Sequence, residues 1–177
     1  GRPGVVGIGE TGLDYFNEFS PRSAQRVAFE AQLALAASCD LPIVIHNRQA
    51  DADTLAILRE HRASLPAVIM HCFGSDAVCA ERCVDLGCHI SFAGNVTFPK
   101  AEPLRDAARA TPLSRLLVET DAPYLAPQPL RGKRCEPHFV QHTAACLAEV
   151  KRVDIEELAA HTTANARRVY RMTEDHS

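Results

Sequence analysis

Apolar residues gather in five short runs along the chain, at 5–9 (VVGIG), 42–46 (PIVIH), 66–70 (PAVIM), 88–92 (CHISF) and 115–120 (RLLVET). Runs this short, rich in valine, isoleucine and leucine and without strict alternation, predict strands buried on both faces. Between and after them lie stretches of helical period at 21–38, 51–63, 75–86, 101–110, 136–150, 154–161 and 163–171. The first helix is introduced by Ser20-Pro21, with Val27, Leu33 and Leu35 as its apolar members, and the third stops at Gly87. Strands alternating with helices predict repeated βα units and a parallel sheet.

Four of these apolar stretches run into a metal-capable side chain: Glu10, His46, His71 and Asp121. Parallel strands that deliver such groups from their C-terminal ends give the geometry of a (β/α)-barrel active face. Taken singly, each residue has an ordinary reading: a surface glutamate, two satisfied core histidines and an aspartate cap. Together they offer two imidazoles and two carboxylates on one face of one sheet, a set suited to Zn²⁺ or Mn²⁺ and less naturally to Mg²⁺. The expected fold is therefore α/β of the (β/α)8 TIM-barrel type, with residues 1–177 forming one domain that holds the last five βα units. A closed barrel needs eight strands and ~250 residues, so about three further units of ~30 residues each are expected to precede this chain. A self-contained open five-stranded sheet is the alternative. Open barrel edges and bare apolar surface would favour self-association.

Composition narrows the function classes. The net charge is −3, which argues against a protein that coats nucleic acid through bulk electrostatics, and RGKR at 131–134 is the only compact basic run. No apolar run approaches the ~20 residues that span a bilayer, so no membrane role and a cytoplasmic location are expected. The seven cysteines include no C-x-x-C pair and read as reduced thiols. Cys79, Cys83 and Cys88 with His89 admit a structural zinc, but buried small apolar residues are the preferred reading. His138 and His142 are spaced i, i+4 but lack the glutamate of H-E-x-x-H. GIGETG at 7–12 matches a dinucleotide fingerprint formally, yet Glu10 within it would repel a pyrophosphate.

Six blocks in order, GETGLDYF (9–16), IVIHNRQA (43–50), MHCFGSD (70–76), ETDAPYLAP (119–127), RGKRCEP (131–137) and TTANARRVY (162–170), resemble the signature blocks of the TatD family of metal-dependent deoxyribonucleases. The resemblance implies a TIM barrel of the amidohydrolase superfamily, generally cytoplasmic, that hydrolyses DNA phosphodiesters with divalent metal. It implies that Glu10 bridges two metal positions, that His46 and His71 complete one of them, and that Asp121 binds metal and handles the proton of the attacking water. The family's other metal position depends on a first-strand His-x-His, which this chain does not contain, so one ion or none is expected here rather than two. Two alternatives follow: a superfamily hydrolase acting on an amide, lactone or phosphotriester, and an inactive or weakly metal-binding fragment.

The remaining candidates surround these four. Arg48, two residues beyond His46, can fork onto a substrate phosphate or pair with Asp14. Arg131, Lys133 and Arg134 are candidates for the nucleic-acid backbone. Asp14 and Glu119 are candidates to hold the far ring nitrogens of the ligating histidines.

Overall fold

The computed structural model describes residues 4–172. Its centre is a parallel sheet of five strands in sequential order: β1 (Ile8–Asp14), β2 (Ile43–Arg48), β3 (Val68–Met70), β4 (His89–Phe92) and β5 (Leu116–Val118). The helices between and after them are α1 (Arg22–Cys39), α2 (Asp51–His61), α3 (Ala77–Asp85), α4 (Glu102–Ala110), α5 (Val140–Lys151) and α6 (Ile155–Tyr170). Each strand pairs with the next one along the chain, as in an arc of a (β/α) barrel.

Strand periodicity sorts the side chains. Ile43 and Ile45, Val68 and Met70, Ile90 and Phe92, and Leu116 pack in the main core with Phe29 and Leu33 of α1, Leu55 and Leu58 of α2, Cys79 and Cys83 of α3, and Leu147 of α5. The alternate positions Val44, Ile69 and Leu117 form a second cluster with Ala166, Val169 and Tyr170 of α6. The apolar surface expected to stand bare and drive self-association is therefore covered, in part, from within the chain. The cysteines at 79, 83 and 88 lie in the main core as small apolar residues. Among the described residues they form no group of metal-capable atoms.

Three expectations need correction. The first strand starts at Ile8 and continues through Glu10 to Asp14, while Val5 and Val6 are exposed. Its pairing shifts register between Ile8 and Thr11, so the apolar run that suggested residues 5–9 marks only the strand's entry. In α1 the buried stripe is Phe29, Leu33 and Ala36, and Val27 and Leu35 face outward. The two stretches expected at 154–161 and 163–171 form one continuous helix, Ile155–Tyr170, within which Thr162 is accommodated with its hydroxyl donating back to the Leu158 carbonyl at 3.0 Å. No helix among the described residues is long and apolar enough to cross a membrane.

His89 introduces an acid sensitivity. It is 4% exposed, and neither ring nitrogen has a hydrogen-bond partner. Burial depresses its pKa from 6.5 to about 4, helped by the guanidinium groups of Arg115, Arg168 and Arg62. Between those values the unfolded chain binds a proton that the native chain refuses, so stability is full above the unfolded pKa and falls as the pH drops through this window. The full shift corresponds to roughly 3 kcal/mol. Urea unfolding at pH 7 and pH 4.5 should show a smaller acid-induced loss in His89→Leu than in the unsubstituted protein. Equal losses would contradict the assignment.

Candidate metal centre

The C-terminal ends of β2, β3 and β5 bring His46, Arg48, His71 and Asp121 to one cavity of about 770 Å³, which Glu10 joins from within β1. Period two explains the set: Val44 and His46 share a face of β2, Ile69 and His71 share the matching face of β3, and Leu117, Glu119 and Asp121 continue it from β5. The ladder extends past the formal strand ends, with His71 N donating to Ile45 O at 2.9 Å and Glu119 N to Phe92 O at 3.0 Å. β1 must lie close against β2 for Glu10 to join them. Gly12 makes this possible: its φ is +149°, and a Cβ there would stand 1.9 Å from the His46 carbonyl oxygen. The glycines of GIGETG thus serve strand contact rather than a nucleotide.

Glu10 stands between the two imidazoles. Its Oε1 lies 2.8 Å from His46 Nδ1 and 3.6 Å from His71 Nε2, and Asp121 Oδ1 is 3.5 Å from the same His71 nitrogen. The far nitrogen of each ring faces a different carboxylate. His46 Nε2 is 3.3 Å from Asp14 Oδ2, and His71 Nδ1 is 2.7 Å from Glu119 Oε1. Asp14 is itself held by the backbone N–H groups of Phe16 and Asn17 and the Asn17 side chain, at 2.7–2.9 Å. This occupies it against the alternative pairing with Arg48. The Arg48 guanidinium lies instead over the Phe16 ring, 4.0 Å from its centroid.

The chemistry of this donor set, two imidazoles and two carboxylates, suits a divalent cation, while Glu10 and His46 stand at hydrogen-bond distance from each other, 2.8 Å. Tetrahedral ligand atoms about 2.1 Å from an ion stand ~3.4 Å apart, close to the Glu10–His71 and His71–Asp121 separations of 3.6 and 3.5 Å. Burial holds the Asp121 carboxyl above its ordinary pKa, with the charges of Glu119 and Glu10 adding to the effect and His71 opposing it. For His71 burial works downward, but Glu119, Glu10 and Asp121 outweigh it and raise the ring above its ordinary value. Glu119 Oε1 is buried without an aligned hydrogen bond. Among the described residues, the group of three ligand atoms that all lie within 4.8 Å of one another joins His71, Glu119 and Asp121, and Glu10 and His46 stand outside it. Glu119, however, faces the ring nitrogen opposite to the one that meets Glu10 and Asp121, which suits it to orienting the ring.

The basic residues divide. Arg131 lies over Phe98, 4.5 Å from the ring centroid, in an adjoining groove. Lys133 and Arg134 are exposed on the same loop and line neither space. The cavity also takes in Asn47, Cys72, Ser75, Asn95 and Tyr124, which sequence reasoning did not single out. Asn47 and Ser75 both donate to Asp51 Oδ1, at 2.5 and 2.6 Å, tying the end of β2 to α2 and to the segment after β3. Asn47 and Tyr124 lie inside the IVIHNRQA and ETDAPYLAP blocks, which was the available signal.

In the chelator-treated protein, His71 should titrate above 6.5, and Glu119→Gln should move it downward, as read from the imidazole proton shifts by NMR. A titration indifferent to this substitution would remove Glu119 as the partner of the ring.

Comparison with known proteins bears on this geometry. The family model described as TatD related DNase matches residues 1–171. The chain is 45% identical over 168 residues to the uncharacterized metal-dependent hydrolase YabD of Bacillus subtilis, covering 95% of this chain and 66% of that protein. It is 39% identical over 175 residues to a protein of Edwardsiella piscicida named 3'-5' ssDNA/RNA exonuclease TatD, covering 96% and 67%. The crystal structure of YJJV, a TatD homolog from Escherichia coli K12, superposes with a TM-score of 0.89 at 32% identity, covering 96% of this chain and 65% of that one. The chain thus spans about two thirds of the length of these relatives. The matched model, the relatives and the parallel arc with its cluster of imidazoles and carboxylates agree: the chain belongs to the TatD related DNase family.

Proposed function

We propose that this chain carries the catalytic face of a cytoplasmic, divalent-metal-dependent hydrolase that cleaves phosphodiester bonds in DNA. The observation that carries the reading is the meeting of Glu10, His46, His71 and Asp121 in one cavity, with one nitrogen of each imidazole turned toward Glu10. The name of the Edwardsiella relative supports a nucleic-acid substrate.

Those four side chains would hold the ion, of which Zn²⁺ or Mn²⁺ suits two nitrogens and two carboxylates best. A divalent ion bound there lowers the pKa of water and neutralises charge on a phosphoryl oxygen. Asp121 then accepts the proton of the attacking water, which requires its carboxylate ionised. That carboxyl is held above its ordinary pKa without the ion. Positive charge beside it favours the ionised base. Asp14 and Glu119 stand against the far ring nitrogens of His46 and His71, at 3.3 and 2.7 Å, and so favour the orientation that turns the other nitrogen of each ring inward. Arg48, exposed at the cavity rim, forks onto a non-bridging phosphate oxygen and helps set the scissile bond.

Elemental analysis after dialysis should find about one equivalent of metal or more in the unsubstituted protein and little in the His46→Ala/His71→Ala double variant. Hydrolysis of a single-stranded DNA should fall at least ~10³-fold with it, as expected when a site that generates the nucleophile is lost. Metal content and cleavage that survive the double substitution would overturn the reading.

A further inference from the structure

Beside the metal cavity lies a second space of about 660 Å³ with a different chemical character, lined by Phe98, Pro99, Pro103, Leu104 and Arg131 among others. The two spaces are contiguous, since Gly74, Ser75 and Asn95 line both. Asn95 stands at this junction with an amide oxygen that makes no hydrogen bond.

The groove is built rather than incidental. Arg105 donates to the carbonyls of Val96 and Phe98 at 3.0 and 2.9 Å, fixing the backbone that carries the Phe98 ring. Gln128 N donates to Thr97 Oγ1 at 2.8 Å, tying the loop after β5 to the same turn. A Cβ on Gly94 would stand 2.1 Å from the Leu125 carbonyl, so only glycine permits this approach. The Arg131 guanidinium covers Phe98, and Arg131 itself is exposed, which leaves a flat cationic platform over an aromatic ring. Lys100 lines the same space, while the Asp76 carboxylate is engaged in capping α3 through Cys79 N.

We propose that this groove is a nucleobase subsite, in which the Phe98–Arg131 pair stacks an unpaired base of the strand whose phosphate lies in the metal cavity. The inference rests on the phosphodiesterase reading and extends it to the substrate's form. Bases stack on aromatic rings and on guanidinium planes, and the volume lies in the range of small-ligand sites. A flat apolar slot with a cationic face and rim complements a base attached to an anionic backbone. A base inside a duplex cannot enter it without unstacking, which accords with the single-stranded substrate in the name of the Edwardsiella relative.

The test compares binding of an eight-nucleotide single-stranded deoxyadenosine phosphorothioate with an abasic strand of the same length and linkage, by fluorescence anisotropy on the metal-loaded protein. Cleavage of ordinary single-stranded DNA is measured alongside. The unsubstituted protein should bind the base-bearing strand about tenfold more tightly than the abasic one. Phe98→Ala and Arg131→Ala should each erode that ratio, and Phe98→Tyr should retain it. DNA cleavage by a protein that binds both strands equally, or whose ratio survives both alanine substitutions, would overturn the subsite and leave the phosphodiesterase reading standing. Neither binding nor cleavage by the unsubstituted protein would overturn both.

Discussion

The arrangement depends on one electrostatic constraint: Glu10, Asp14, Glu119 and Asp121 converge on only two imidazoles at one end of a parallel sheet. Each imidazole is held between carboxylates, His46 between Glu10 and Asp14, and His71 between Glu119 on one side and Glu10 and Asp121 on the other. The raised pKa of His71 expresses the same excess of negative charge, and at Asp121 the charges of Glu119 and Glu10 add to the larger effect of burial. A divalent cation relieves it, so the proposed function and the electrostatics of the metal-free chain are two aspects of one arrangement.

The backbone is bent to reach this geometry. Gln49, Cys72, Asp121 and Leu125 all adopt positive φ, between 42° and 56°, and all four line the metal cavity. Left-handed backbone in residues other than glycine costs of order 1 kcal/mol or more at each position, and such strain concentrates at functional sites. Here it is offset by the main core on the far side of the sheet, where Phe29, Leu33, Ile45, Leu58 and Phe92 are fully enclosed. The same strands therefore do two jobs through their period-two alternation, one face supplying cohesion and the other supplying ligands.

Much of this was legible in the sequence. The apolar runs ending at His46 and His71 fall on β2 and β3, and period two in RLLVETD puts Glu119 and Asp121 on one face. Glu10 was placed in the site, but its position in the middle of a strand was not foreseen. A register shift between Ile8 and Thr11 precedes the close approach of Gly12 to His46, and single-chain periodicity reports neither. The left-handed residues were also hidden, because neither Gln49 nor Cys72 has the glycine or asparagine character that announces such a turn. Arg131 read as a free basic residue, and only the fold brings it onto Phe98, 33 positions earlier in the chain.

The most direct measurement is X-ray diffraction at the zinc absorption edge from crystals of the zinc-loaded protein. An anomalous peak should lie about 2.0–2.2 Å from Glu10, His46, His71 and Asp121 together, with Asp14 and Glu119 kept on the outer sides of the two rings. A peak bonded to Glu119 in place of Glu10 and His46, or one seated only at the buried cysteines of α3, would contradict the proposed centre.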